Sequence, residues 1–563
     1  MLAALSIGLF DSSIVVLYLL GVVGVGVAAG FVRAKGGEGG HYFLASNNLR
    51  WPVIGLAMFA ANISTVHLVS LAEAAYKTGL VFGNFEWMAG FVLILLALFF
   101  APLYLRSRVA TLPDFLERRF NRQCRDWLTV ISIISAVFLH IGSALFTAAW
   151  VLRGIVGAGP TILGMDSLLF IIVVLGVLTG VYTMLGGLLA VVWTESVQTV
   201  LLLVGAICIT IVGFVKVGGW EHLAQVLASH PHPLAPMSTP TDRISVSTAN
   251  FLNMARPTGD PSGLPWYSIL LGYPVLGIWY WCCDQTIVQR VLAARDEKHA
   301  RLGPLFCAFI KILPVFFFVL PGTICLALVQ CGAFGGDAPT SAKDTYTFMV
   351  THLLPIGLKG LVTAALLAAA MQTCSAALNS AATLIAYDVV KRYRAQTTDH
   401  SLVFIGKVTT VVATIGAILF SPVFGNYPTI FEGLNKMISD VAPPITAVFL
   451  FGVFWEKASS KAAFITFVVG GVLGLSAFLL DRYGVYSPNF MLNCFYLFVI
   501  CCLIMFVGSL VFPEELKKEA RPLVWAKWSE PLHRTEGGWG LADYRVASAV
   551  VLCIFVALYI VFR

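Results

Sequence analysis

Residues 269–285 read "ILLGYPVLGIWYWCCDQ", and how they are taken decides the fold. The run is greasy enough for a bilayer, yet Gly272, Pro274 and Gly277 interrupt it, and Asp284, Gln285, Gln289 and Arg290 follow where the sequence still reads as membrane. Residues 55–76, "GLAMFAANISTVHLVSLAEAAY", are broken in the same way by Asn62, Ser64, Thr65 and His67. Each interruption opens a run of about five spans. Broken helices at corresponding positions of two halves imply an all-α polytopic membrane protein with an inverted-repeat (5+5) core, broken first and sixth core helices and a site at mid-membrane.

The composition supports the membrane reading. The 563 residues are 58% hydrophobic and 12% charged, with a mean hydropathy of +0.87, well above the apolar share of a soluble domain. Runs such as 13–32, 91–105, 168–188, 201–215 and 493–512 reach or approach the roughly 20 residues that cross a hydrocarbon core as helix. They lack the alternation of a transmembrane barrel. The first run has its positive charges after it, in "GFVRAKGG", which reverses the order of a cleaved signal and implies a retained helix.

The net charge of +7 sits in alternate short loops, among them "YLRSRVATLPDFLERRFNRQCR", "VLAARDEKHAR", "VVKRYR" and "ELKKEARPLVWAK". That is the positive-inside pattern and no sign of nucleic-acid binding. With about fourteen spans of that length, both termini are expected outside. The expected organisation is a leading transmembrane helix in 1–45, a first five-helix repeat in 46–218, an extracellular or periplasmic loop in 219–263, a second repeat in 264–457, and trailing helices in 458–563. Within the last, residues 514–541 are expected as a cytoplasmic segment forming a surface-lying helix. The 12 cysteines lie mostly in apolar runs, without a C-x-x-C pair, and are expected as buried thiols. No segment is large enough for a soluble catalytic domain and no nucleophile and base pair stands out, so an enzyme is not expected.

A break between Asn62 and Thr65 strips carbonyls near Ala60 and Ile63 of their helical partners and offers them to a hard cation; a polar kink satisfied by neighbouring helices is the other reading. Residues 366–388 carry Ala369, Gln372 and Thr373 at i, i+3 and i+4 on one face, with Ser375, Asn379 and Ser380 continuing a small polar stripe that serves equally well for tight helix packing. Glu86, Glu195, Asp284, Arg290, Lys311, Lys436 and Asp440 are ionisable residues at membrane depth, where structural pairing and a polar cavity are both available. Glu73 and Lys77, at i,i+4, read as a surface pair.

The motifs "FEW", "WYWCCDQTIVQRVLAAR", "CAFIKILPVFFFVLPG", "ALNSAATLIAYD" and "APPITAVFLFGVFW" resemble the sodium/glucose cotransporter branch of the sodium/solute symporters over roughly residues 51–455. The resemblance implies the broken-helix fold with fourteen helices. It implies a sodium site from the carbonyls of Ala60, Ile63 and Ala369 with the Thr373 side chain, and puts Gln372 where the family usually has a small hydroxyl. Glu195 and Ser375 fall at the places of a second sodium site. A sugar site would draw on Asn62, His67, Glu86, Tyr280, Trp281, Lys311 and Asn435, with Leu71, Phe85 and Phe431 as outer gate and Tyr280 as inner gate. Asn435 stands for the usual Gln, one methylene shorter.

The function implied is sodium-coupled symport of a glucose- or galactose-like monosaccharide by alternating access. Its alternatives are sodium-coupled carriage of inositol or a small carboxylate, and a sugar-gated sensor or uncoupled facilitator. Na+ is the coupling ion, and the sugar and the lipid bilayer are the remaining partners, with no obligate protein partner evident. Asp284, Gln285, Gln289 and Arg290 would line an aqueous exit path or lock its closed form. The expected location is the plasma membrane, or the inner membrane of a bacterial cell.

Overall fold

Inside a bilayer no water bonds the peptide groups, so the chain satisfies them within helices. The computed structural model describes residues 8–33, 48–230, 250–260, 262–426, 430–486, 488–527, 529–533, 540 and 543–563, and apart from one two-residue hairpin, Thr161–Ile162 with Met165–Asp166, the regular structure of these residues is helical.

Eleven helical stretches among the described residues are long and apolar enough to cross a membrane. Three further crossings are the helix Leu9–Arg33 and two segments interrupted midway, 51–78 and 266–292, which brings the number to fourteen. The two interrupted segments each open a set of five, the first ending at Val217 and the second at Phe454. The leading helix is pinned by its own Asp11, whose Oδ1 accepts from the amides of Gly357 and Gly360 at 2.7 Å each, at the start of the long helix Leu358–Leu384. A carboxylate there also meets the positive end of the helix dipole.

The interruptions are built from their sequences. Helix Trp51–Asn62 stops because Ile63 and Ser64 take extended backbone (ψ 103° and 174°), and Ser64 then caps the helix Thr65–Thr78. In the second segment helix Trp266–Ile278 passes into a wide turn, Trp279–Cys283, and Asp284 goes extended (ψ 124°) before the helix Gln285–Leu292. Such π-type turns recur where helices serve function.

The expected spans 168–188 and 201–215 are met by two crossings, Ser167–Leu185 and Gln198–Val217, joined in one helical run, Ser167–Val217. Other sequence expectations give way. The loop 219–263 contains the helix Trp220–Ser229, which buries Leu223, Val226 and Leu227. Its later part closes over the turn at Gly79, whose φ of +77° suits glycine: the Arg256 guanidinium donates to the Thr78 carbonyl at 2.6 Å and the Leu80 amide to Phe251 O at 2.7 Å. Burial lowers the Arg256 pKa to about 10, outweighing the neighbouring Asp260 carboxylate, which raises it.

The segment 514–541 is no amphipathic helix in its described part. It is a strap with two short 3-10 turns, Lys518–Leu523 and Glu530–Leu532, because Pro513, Pro522 and Pro531 fall too close together for a longer helix. Trp525 anchors it, donating from its amide to Val453 O at 3.0 Å and from its indole to Phe99 O at 3.1 Å. Glu73 is not at a surface: it is 1% exposed, with Lys77 3.8 Å away, because Gly322 brings its helix so close to Ala72 that any side chain there would collide. Lys436 makes its ion pair with Asp481 at 3.3 Å, and the Asp440 carboxylate accepts from Asn493 at 3.0 Å.

Candidate functional site

At the first break the amide donors find new partners and the carbonyls at the end of the helix lose theirs. The Ser64 amide donates to His67 Nδ1 at 3.2 Å, where a continuous helix would send it to Ala60 O. The His67 amide donates to Ser64 O at 3.0 Å in place of Ile63 O, and the Val66 amide to Ser64 Oγ at 3.1 Å. The carbonyls of Ala60 and Ile63 are thus released from helical bonding at buried positions, 1% and 0% exposed. Helix Leu358–Leu384 packs against both halves of this span and is buried along nearly its whole length. On it Ala369 and Gln372 are wholly buried, and the Thr373 hydroxyl is buried with no hydrogen-bond partner among the described residues. A buried hydroxyl without a partner is costly, and its oxygen suits a hard cation. Ser375 Oγ donates to Gln372 O at 2.9 Å. The Glu195 side chain lies outside the described residues.

Directly beside the break is a cavity of about 90 Å³ whose walls include Asn62, His67, Glu86, Tyr280, Trp281, Lys311 and Asn435. The structure brings together all the residues named for a sugar. Lys311 Nζ lies 2.5 Å from Glu86 Oε2, both side chains 1% exposed. Lys311 ends the helix Glu297–Ile310 and sits 5.3 Å from the centroid of the Trp281 ring, a cation over an aromatic face.

The other Glu86 oxygen faces His67 Nε2 at 3.9 Å. A backbone N–H can only donate, so His67 Nδ1 is the acceptor of the Ser64 bond and the ring proton sits on Nε2. The gap between that N–H and the carboxylate is too long for a direct bond and suits one inserted hydroxyl, which can accept from the ring and donate to Glu86. Asn435 spends its amide donor on Phe431 O at 2.8 Å.

Of the gate residues, Phe85, Phe431 and Tyr280 line the cavity, while Leu71 is wholly buried and not part of its wall. Phe85 packs edge-on to Phe431 with centroids 4.8 Å apart, and Phe82 joins them at 5.9 and 5.5 Å.

The second break is closed by side chains. Tyr104 donates to Cys282 O at 2.7 Å, and Asp284 caps the following helix through the Thr286 amide at 2.6 Å. Asp284 also meets His140 Nε2 at 3.2 Å, and the His140 ring lies 5.9 Å from that of Tyr280. Gln285 accepts from the Leu112 amide at 2.9 Å, Gln289 donates to Thr383 Oγ1 at 2.8 Å, and Arg290 donates to Thr286 O. These four side chains are buried, 6% exposed at most.

Sequence reasoning missed His140 and Tyr104. Further down, Asp388, just past the end of the long helix, accepts at 2.9 Å from Thr111, the cap of helix Leu112–Arg119, and at 2.7 Å from Arg125 on helix Arg122–Ile134.

Two interrupted helices, released carbonyl oxygens and a polar cavity between helices at mid-span define a membrane carrier and not an enzyme. The comparisons place it further: the sodium:solute symporter family pattern matches residues 42–470, and the chain belongs to that family. It is 33% identical to sodium/glucose cotransporter 4 of Mus musculus, over 84% of this chain and 70% of that one. It is 30% identical to sodium/glucose cotransporter 1 of Oryctolagus cuniculus, over 89% and 77%, and 30% identical to a sodium/mannose cotransporter of Bos taurus, over 96% and 94%. Among solved structures, a Na+-coupled sialic acid symporter in a substrate-bound outward-open state superposes with a TM-score of 0.76 at 21% identity, covering 91% of this chain and 99% of that one, a likeness of fold.

Proposed function

We propose that this sodium-coupled symporter carries a monosaccharide, a hexose such as glucose, galactose or mannose, by alternating access. One observation carries the reading: the cavity that gathers Glu86, His67, Lys311, Asn62 and Asn435 against Tyr280 and Trp281 lies against the break whose Ala60 and Ile63 carbonyls have lost their helical partners. A polyol needs donors and acceptors along its rim and an aromatic face for its apolar side. Glu86 and the imidazole supply an acceptor and a donor to one hydroxyl, Lys311 donates beside them, and the rings cover the apolar face.

Sodium at Ala60, Ile63, Ala369, Gln372 and Thr373 ties the first broken span to the long helix. It fixes Asn62 and His67, one residue inside and four beyond the released carbonyls, where the sugar meets them. Differential affinity of both ligands for one arrangement of the helices is the whole coupling. A carboxylate substrate is disfavoured because the Lys311 charge is already matched by Glu86.

The basic ends support the orientation with both termini outside the plasma membrane, since Arg106, Arg125, Arg301 and Arg392 gather at neighbouring helix ends in ion pairs with Glu297, Asp388 and Asp126.

The test is uptake of labelled glucose, galactose, mannose, inositol and pyruvate into proteoliposomes with and without an inward sodium gradient. The account expects a hexose to accumulate only with the gradient. Equal uptake without sodium identifies a facilitator, current without accumulation a sensor, and uptake of pyruvate alone a carboxylate carrier.

A further inference from the structure

Two wide helical turns meet beside the sugar cavity. Trp279–Cys283, at the second break, sets Tyr280 in the cavity wall, and Ser135–Ile141, within the membrane span Arg122–Val156, carries His140. Turns of this kind recur where helices serve function. His140 Nε2 lies 3.2 Å from Asp284 Oδ2, and the imidazole lies 5.9 Å from the Tyr280 ring. The two side chains of the pair are 9% and 7% exposed. Asp284 spends its other oxygen on the Thr286 amide at 2.6 Å, so one carboxylate ties the head of helix Gln285–Leu292 to a span that is not itself broken.

A carboxylate only accepts, so the ring proton of a neutral His140 sits on Nε2. Nδ1 has no hydrogen-bond partner among the described residues and is where a second proton enters. That proton turns a neutral bond into a charge-assisted one, roughly twice as strong. The groups that titrate or carry charge around the ring come from four directions. Asp284 and Tyr280 face it from the second break, with Arg290 a turn beyond acting on Tyr280. His67 feels its charge together with those of Glu86 and Lys311 across the cavity. The long helix brings the Cys374 thiol to the Ile141 carbonyl. Helix Asp399–Phe420 meets the turn through Gly416 and Phe420, which do not titrate. Asp284 is the one of these that bonds the ring.

We propose, on the reading of the chain as an alternating-access carrier with Tyr280 at its inner gate, that His140 is a positioning residue for that gate: it holds Asp284, and a proton on its ring tightens the hold, so that acid slows release of the solute into the cell. The sign follows from linkage. The imidazole binds a proton more tightly in the arrangement where Asp284 meets it, so protons favour that arrangement; the hold is strongest below the range where imidazoles titrate and loosens as pH rises through it.

The experiment uses the full chain in proteoliposomes at saturating sodium and saturating solute, the solute being the one that the uptake assay selects, with the same pH on both sides, about 8 or about 5.5, which brackets the imidazole range. Maximal uptake by the wild type is expected to fall about fivefold at the acid pH, the step from a neutral to a charge-assisted bond, with no rise in KM. His140→Asn is expected to remove most of that fall, and His140→Lys, whose charge is permanent, to stay at the slow rate at both pH values. A side chain that only filled space would leave both variants with the wild-type ratio. A wild-type rate that ignores pH, or a fall that survives in His140→Asn and so belongs to His67 or to the sodium site, overturns the proposal. The wild-type profile needs no variant, which keeps the test decisive should His140→Asn fold poorly. Uptake at the higher pH reports on the carrier reading and the ratio of the two rates on the latch, so the two fail separately.

Discussion

Both spans read as interrupted, one by polar residues and the other by glycine and proline, and they differ in what the break leaves behind. At the second, side chains bond groups at the break: Tyr104 donates to Cys282 O and Asp284 takes the Thr286 amide, while Gln285 reaches across to the Leu112 amide. At the first, Ser64 and His67 satisfy the amides between themselves, and the carbonyls of Ala60 and Ile63 are left without their helical donors beside the unpartnered Thr373 hydroxyl. Open carbonyls beside an unpartnered hydroxyl are what the proposed sodium site requires; at the second break a tyrosine covers the Cys282 carbonyl instead.

The largest effect is expected where the site's charges meet. Lys311→Ala leaves Glu86 buried and unpaired, which costs roughly 3–5 kcal/mol. Purified protein should lose most of its thermal stability in a melting assay, and Lys311→Met with Glu86→Gln should recover much of it; no recovery would mean that the pair is not the cause.

Next, Thr373→Ala should weaken apparent sodium affinity by about ten- to a hundredfold, the range for one bond to a charged group, with little change in melting temperature. Sodium activation of uptake measures it, and an unchanged curve would remove Thr373 from the ion site.

At the second break the pattern should reverse. Tyr104→Phe should cost about 1 kcal/mol of stability and leave sodium affinity where it was; a shift in sodium activation would erase the distinction between the breaks. Asp284→Asn keeps a capping oxygen, so stability should change by only a few tenths of a kcal/mol while uptake slows through the lost charge opposite His140. Uptake at the original rate would show that Asp284 only caps its helix.

The first break was legible because Asn62 to Thr65 stand out against greasy sequence; Gly272, Pro274 and Gly277, read as interrupting the second span, lie inside the helix Trp266–Ile278, and the break follows them at Trp279–Asp284. The burial of their partners was not. His140 sits in "SAVFLHIGSAL" as a lone histidine on an apolar helix, and only the fold, which sets it 3.2 Å from Asp284 at the head of helix Gln285–Leu292, gives it that partner. Glu73 and Lys77 had the spacing of a surface pair, and spacing along one helix says nothing of the helix that Gly322 brings against it. The strap at 513–533 was misread through its tryptophans, although its prolines already argued against a helix. The sugar residues, spread from Asn62 to Asn435, came from family resemblance, since no local pattern joins positions so far apart.

The central claim is that the first break binds a cation whose presence shapes the adjoining sugar cavity. Equilibrium binding of a labelled hexose to the purified protein, titrated with sodium against potassium, tests it most directly. The account predicts that sodium tightens sugar binding, that sugar tightens sodium binding by the same factor, and that Thr373→Ala removes both. Identical sugar affinity in sodium and in potassium would contradict it.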